Sequence, residues 1–315
     1  MDRIEEVLEQ VNTVAIAGHI RPDGDCIGSC MGLFNYIEEN YPAIAADVYL
    51  EQPGQVFSYI PGIEKAQTSC NPDAVYDLII ALDTSTLERM GVISPCFARA
   101  KKTVCIDHHV SNAGYADVNW IQGQASSAAE VLYKLLDPEK ISARTAACIY
   151  TGIVHDTGVF QYPATTPETM RIAASLMETG IEFHKIIEES FYQKTYIQNQ
   201  VMGRVLAESI MLLHGACIVG VLKKKDLIFY GVKGHDLDGI ISQLRTTKGV
   251  EVAMFLYELE SMNYKVSLRS SGKVDVNRVA AYFGGGGHVR AAGCEIKGTA
   301  HDVINNLTLQ IEEQL

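Results

Sequence analysis

The sequence predicts an α/β protein: a mainly parallel sheet with helices on both faces, joined by a helical connector to a smaller α/β domain. Three observations carry this. Short apolar, β-branched runs alternate with helix-period stretches through the first half. Residues 181–213 then read as helical with no intervening strand, and after Gly215 the strand-like runs return. The expected divisions are a catalytic domain over residues 1–190, a connector over 191–213 and a second domain over 214–315.

In the first domain the strands are Thr13–Ala17 (TVAIA), Asp47–Leu50, Leu78–Leu82 (LIIAL) and Thr103–Ile106 (TVCI). Unbroken apolar runs of this kind fit strands buried on both faces. Helical patterns follow from Cys26 to about Tyr41, over Ser126–Leu136 and over Ser142–Val154. Another starts at Thr166-Pro167-Glu168, where a cap residue precedes proline and an acid in the first turn. In the second domain, strands are expected at Ala216–Leu222, Glu251–Tyr257 and Tyr264–Leu268, with a helix over Val274–Phe283.

Composition agrees with a folded, two-domain chain: 315 residues, 47% hydrophobic and 20% charged, are globular rather than disordered. The opening MDRIEEVLEQ has the wrong charge for a signal peptide, and no apolar run approaches a bilayer span. A soluble, cytoplasmic protein with no membrane partner is therefore expected. No two of the eight cysteines are spaced C-x-x-C, and Cys105, Cys148 and Cys217 lie in apolar segments, so they read as reduced core thiols. The net charge of −12 opposes coating of long nucleic acid, duplexes included. Between Asn263 and Lys297, however, six Lys/Arg face two acids, a local +4 against −16 elsewhere. An acidic body with one basic, glycine-rich region points to a small anionic substrate.

Asp and His concentrate in four segments. They are Gly18-His19-Ile20-Arg21-Pro22-Asp23-Gly24-Asp25 after the first strand, Asp83 ending LIIALD, Asp107-His108-His109 ending TVCIDHH, and Asp156 in GIVHDTGVF. Ligands of open α/β sheets bind beyond the carboxyl ends of the strands, where three of these segments fall. Mixed carboxylates and imidazoles suit Mn2+, with Mg2+, Fe2+, Co2+ or Zn2+ as competitors. Two ions about 3.5–4 Å apart can activate a water and stabilise the oxygens of in-line displacement at phosphorus. Singly, each acid has a bland reading as a turn residue or helix cap, and Cys26, Gly28 and Gly32 read as helix-packing residues. The four segments together, in this order, outweigh those readings.

H-x-x-x-D-x-D, a strand-terminal Asp, D-H-H and a later D-T-G resemble the four motifs of DHH phosphoesterases. Leu268-Arg269-Ser270-Ser271 and Gly284-Gly285-Gly286-Gly287-His288-Val289-Arg290-Ala291-Ala292-Gly293 resemble the DHH-associated C-terminal domain in its nucleotide-binding form. Among the branches, the chain is most similar to the small standalone NrnA-type oligoribonucleases and pAp phosphatases, and to relatives that cleave linear pApA. The resemblance implies two divalent ions, with His19, Asp23 and Asp83 around one and Asp25, Asp83, His108 and Asp156 around the other. It implies that His109 faces the substrate phosphate and that Asp107 supports the His pair. It gives Arg269, Ser270, the run Gly285, Gly286 and Gly287, and His288 to the far phosphate or nucleotide end. Cys26 and His155 depart from the usual residues at their positions without removing a ligand.

One glycine would suffice to end the helix before residue 284, so four point to close approach of backbone N–H groups to an anion. Arg269 can bind phosphate through two parallel hydrogen bonds. Lys273 and Arg278 read as a solvated helix face, and Arg290 stays open. The expected activity is metal-dependent hydrolysis of short oligoribonucleotides to nucleoside monophosphates and removal of phosphate from pAp. The alternatives are a pApA phosphodiesterase of c-di-AMP turnover, an inorganic pyrophosphatase or polyphosphatase, and a non-catalytic nucleotide-binding regulator. A homodimer is left open.

Overall fold

The computed structural model describes residues 3–315, which divide into two units, one ending at Gln193 and the other spanning Lys194–Leu315. The first contains α1 (Glu5–Leu8), β1 (Thr13–Ala17), α2 (Gly24–Asn40), β2 (Ala45–Tyr49) and β3 (Leu78–Leu82). It continues with α3 (Ser94–Phe97), β4 (Lys102–Asp107), β5 (Val118–Ile121), α4 (Ala128–Leu135) and α5 (Ala143–Asp156). The helices α6 (Pro167–Glu178) and α7 (Phe183–Ile187) and a π-helical turn (Glu188–Tyr192) complete it.

Its five strands are all parallel, in the order β2-β1-β3-β4-β5. Chain direction across the sheet reverses between β1 and β3, so the loops leaving those two strands diverge and open a crevice at their carboxyl ends. Strand alternation separates two faces of unequal size. Val14, Ile16, Leu78, Ile80, Val104 and Ile106 pack with α2, α4 and α5. The small Ala15, Ala17 and Ala81 turn to the other face, covered by Met90, Ile93 and Phe97 from the 3-10 segment Leu87–Ile93 and α3. The edge strand β5 is not predicted by the sequence: four residues, VNWI, give too little periodicity to distinguish from loop.

Helix starts follow their local chemistry. The Asp23 carboxylate caps α2 by accepting from the amides of Asp25 and Cys26, and the Ser127, Ser142 and Thr166 hydroxyls cap α4, α5 and α6. α2 and α5 pack with almost no separation: a Cβ on Gly28 would lie 2.5 Å from the Cys148 carbonyl oxygen, and one on Gly32 2.9 Å from Ile149.

The second unit holds α8 (Tyr196–Ala207), β6 (Ile210–Leu212), β7 (Cys217–Leu222), α9 (Lys224–Tyr230), α10 (Ile240–Arg245) and β8 (Val252–Glu260). It ends with β9 (Asn263–Ser270), α11 (Val276–Tyr282), β10 (Gly286–His288), β11 (Ala291–Lys297) and α12 (Ala300–Glu312). The mixed sheet runs β10-β11-β9-β8-β7-β6. The stretch 181–213, expected to be helical throughout, ends in β6, a short edge strand antiparallel to β7. α8 packs through Val201 and Val205 against Ile218, Leu222 and Leu244 of this unit.

Glu130 of α4 is buried and ties its helix to α6 and to the turn before α4. It accepts from the Ser126 hydroxyl (2.6 Å), the Thr169 hydroxyl of α6 (2.7 Å) and Lys134 (2.8 Å). Burial disfavours its charge, but these donors outweigh burial and hold its pKa below the ordinary glutamate value. Its charged form therefore stabilises the fold above the unfolded-state pKa, and that contribution is lost as pH falls through the depressed folded value. Glu130→Gln should cost about 1.5–3 kcal/mol at pH 7. In urea unfolding the gap from the unsubstituted protein should narrow as pH drops below the ordinary glutamate range; a gap independent of pH would refute this account.

Candidate active site

The four sequence segments meet at the carboxyl end of the first sheet. His19 follows β1, Asp83 follows β3, and Asp107-His108-His109 ends β4, while Asp25 begins α2 and Asp156 ends α5. Asp83 lies among them. Its Oδ2 is 3.3 Å from His19 Nε2, and its Oδ1 is 3.6 Å from both His108 Nε2 and His109 Nδ1. His19 Nε2 also lies 3.7 Å from Asp23. His108 Nε2 lies 3.4 Å from Asp156 and 3.9 Å from Asp25. His19, Asp25 and Asp83 are buried, whereas Asp23 is at the rim.

Backbone geometry sets each group. Asp83 has φ 51°, a left-handed conformation that Asp tolerates better than most residues, and its amide donates to the Ile106 carbonyl. Asp25 accepts from the Ala128 amide (2.7 Å) and the Ala129 amide (3.0 Å), donors at the start of α4 that have no partner within their own helix. Behind Asp156, the residues Gly158, Val159 and Phe160 all have positive φ, between 56° and 61°. Such a turn is costly for a β-branched and an aromatic residue. Thr157 supports it, its hydroxyl donating to Ile153 and accepting from the Phe160 amide.

His19 Nδ1 lies 2.8 Å from the Ile20 carbonyl oxygen, which accepts its proton, so Nε2 is the ring nitrogen turned towards Asp83 and Asp23. Asp107 is fully buried; it accepts from the His108 amide, from His109 Nδ1 at 2.8 Å and from the Asn112 side chain at 2.6 Å. It thus acts on the site through His109. Asn112, buried and also donating to the Thr84 carbonyl, did not stand out in the sequence, where one Asn in a loop carries no signal.

The electrostatics are those of excess negative charge. Burial first, then Asp83 and Asp156, push the Asp25 carboxyl well above the ordinary range. Asp156 is raised to about 6, by burial and Asp83 against the opposing pull of His108. Burial disfavours charge on His108, yet Asp83, Asp25 and Asp156 raise it to about 10. Asp83 Oδ1 is buried without a hydrogen-bond donor. A buried carboxylate oxygen with no donor, facing two imidazoles, fits a cation. The donor atoms of Asp25, His108 and Asp156 lie within 4.8 Å of one another, and so do those of Asp83, His108 and His109, and of His19, Cys26 and Asp83.

In the second unit, strand register places the expected substrate residues. His288 pairs with Ala291, Ala291 with Arg269, and Arg269 with Ala253, so all four side chains share one face of the sheet. Two strand spacings, about 9–10 Å, separate the His288 and Arg269 backbones. Ser270 turns to the opposite face, where it is buried with its hydroxyl towards the Val289 carbonyl. The glycine run is partly explained by packing. A Cβ on Gly285 would lie 2.2 Å from the Gly293 carbonyl oxygen, and one on Gly287 2.4 Å from that of Ala291, whereas Gly286 meets nothing closer than 3.9 Å. These residues form an edge strand rather than an open loop.

This chain, with its switch point between β1 and β3 and its carboxylates and imidazoles beyond it, belongs to the DHH family. The sequence matches the DHH family, N-terminal domain, over residues 13–153 and the DHHA1 domain over residues 216–315. The protein is accordingly a hydrolase acting on phosphoester bonds. It is 30% identical to the bifunctional oligoribonuclease and PAP phosphatase NrnA of Thermus thermophilus, over all of this chain and 94% of that one. It is 28% identical to the Bacillus subtilis protein of the same name, over 90% of each. An exopolyphosphatase-related protein from Bacteroides fragilis has a similar structure: TM-score 0.89, 25% identity, covering 98% of this chain and 94% of that one. No helix among the described residues is long and apolar enough to cross a membrane.

Gly152 of α5, another residue that the sequence did not single out, is tied to this site. A Cβ there would lie 2.8 Å from Asp25 Oδ1 and 2.6 Å from Ala129 Cβ. Gly152→Ala should therefore displace Asp25 and weaken any divalent-cation binding by this cluster about tenfold or more. Calorimetric titration of the metal-free protein measures this; unchanged affinity would show that the Asp25 position is not critical.

Proposed function

We propose that the protein is a metal-dependent phosphoesterase that degrades very short oligoribonucleotides to nucleoside monophosphates and removes phosphate from pAp. The observation that carries the metal reading is Asp83, whose two oxygens face His19 on one side and His108 and His109 on the other, one of them without a hydrogen-bond donor. Support for the substrate class comes from full-length relatives named as oligoribonuclease and PAP phosphatase.

In this reading His19, Asp23 and Asp83 hold one divalent ion and Asp25, Asp83, His108 and Asp156 the other, with Asp83 shared. Imidazole in the donor set favours Mn2+ over a purely oxygen-seeking ion. Bound there, the ions would supply positive charge for the phosphoryl group and lower the pKa of water. Asp107 fixes the His109 ring through Nδ1, and a proton on Nε2 would let the ring donate to a phosphoryl oxygen where charge develops. Arg269 and His288, on one sheet face, recognise the phosphate or nucleotide end remote from the cleaved bond. Binding energy from such remote contacts favours productive alignment.

Likeness to the exopolyphosphatase-related protein of Bacteroides fragilis favours polyphosphate as a second substrate reading. Initial rates with Mn2+ on pAp, pApA, RNAs of increasing length, pyrophosphate and polyphosphate discriminate these, and a preference for polyphosphate would overturn the nucleotide reading.

Activity should vanish in excess chelator and return best with Mn2+. Asp83→Ala should lose metal as well as rate, whereas His109→Ala should retain metal and lose roughly a hundredfold to a thousandfold in kcat. Equal metal loss in the two variants would contradict the division of roles. Arg269→Ala should lower kcat/KM on pAp and short RNA while hydrolysis of a small aryl phosphate changes little. Equal losses on both substrates would assign Arg269 to folding or to the chemical step.

A further inference from the structure

His155 lies one residue before Asp156 and makes contacts of its own. Its ring packs between Phe57 and Phe191, at centroid distances of 5.2 Å and 5.6 Å. Nε2 is 3.0 Å from the Ser190 hydroxyl oxygen. That hydroxyl donates to the Ile186 carbonyl at 2.6 Å, so its oxygen accepts from His155 and the proton sits on Nε2. Ser190 belongs to the π-helical turn 188–192, a distortion of the helical ladder that is frequent at functional sites.

The other edge of the ring meets Gly24, the residue between Asp23 and Asp25. A Cβ on Gly24 would lie 2.2 Å from His155 Cγ and 2.6 Å from Nδ1. The φ of Gly24 is not in the left-handed region, so its backbone would accept a side chain. What excludes one is the imidazole. The ring thus occupies the volume of a missing side chain inside the segment that presents two of the proposed ligands.

We propose that His155 is a positioning residue for the metal site: it seats the Asp23–Asp25 segment against the π-helical turn and so fixes both carboxylates relative to Asp156. The inference rests on the metal reading above. It requires Gly24 and His155 to act as a complementary pair, which a mutant cycle detects. Gly24→Ala should weaken Mn2+ binding by about tenfold to a hundredfold, and His155→Ala by about tenfold or less. The double variant should bind Mn2+ more tightly than Gly24→Ala, because removing the ring makes room for the added methyl. Ser190→Ala, which keeps the ring but loosens its anchor, should weaken Mn2+ binding less than His155→Ala.

Titration calorimetry with Mn2+ on the full chain, metal removed beforehand, gives all five affinities, and melting curves report folding. If Gly24→Ala does not fold, recovery of a folded, Mn2+-binding protein in the double variant supports the pairing and continued failure overturns it. An equal Gly24→Ala penalty with and without the His155 ring overturns this inference alone. Absence of Mn2+ binding by the unsubstituted protein would instead overturn the metal reading, and this inference with it.

Discussion

Asp83 imposes the constraint around which the first unit is organised. Its carboxylate is buried within reach of three imidazoles, and it raises the cost of ionising both Asp25 and Asp156, with Asp156 adding to the cost for Asp25. Like charges at such separations in a poorly solvated site cannot all persist without protons or cations to neutralise them. The neighbouring structure holds these groups together: the first amides of α4 on Asp25, Asn112 behind Asp107, and a left-handed turn after Asp156. Conformational strain in that turn persists only because surrounding bonds over-determine it.

Close backbone approach is the second device, and it serves both units differently. In the first, Gly28 and Gly152 bring α2 and α5 into contact, which sets the carboxylates at opposite ends of those helices near one another. In the second, Gly285 and Gly287 admit the β10 edge strand against β11, placing His288 on the same face as Arg269. Glycine there does structural work first, since the Cβ collisions are with backbone atoms that cannot turn aside.

Much of this was legible in the residues. The first and third strands match their apolar runs residue for residue, because a strand buried on both faces leaves an unbroken signal. The cap at Thr166 was readable from its neighbours alone, Pro167 and Glu168 in the first turn. β5, β6, β10 and β11 were not. The first three are short edge strands, and three or four residues carry too little pattern to reveal a partner distant in sequence or across a hairpin; β11 is an interior strand, but it opens on Ala291, Ala292 and Gly293, which carry no strand signal.

By itself, the sequence determined the fold class and the order of the acidic and histidine segments, since periodicity and strand-end position are local properties of the chain. The tertiary structure alone decided how those side chains are used. It set Asp83 between two groups of imidazoles, gave Asp107 to His109 and Asn112, turned Ser270 away from the face of Arg269, and brought His155 against Gly24. Each depends on register, on the hand of a turn or on contact between distant segments, and such relations arise only when the chain closes on itself.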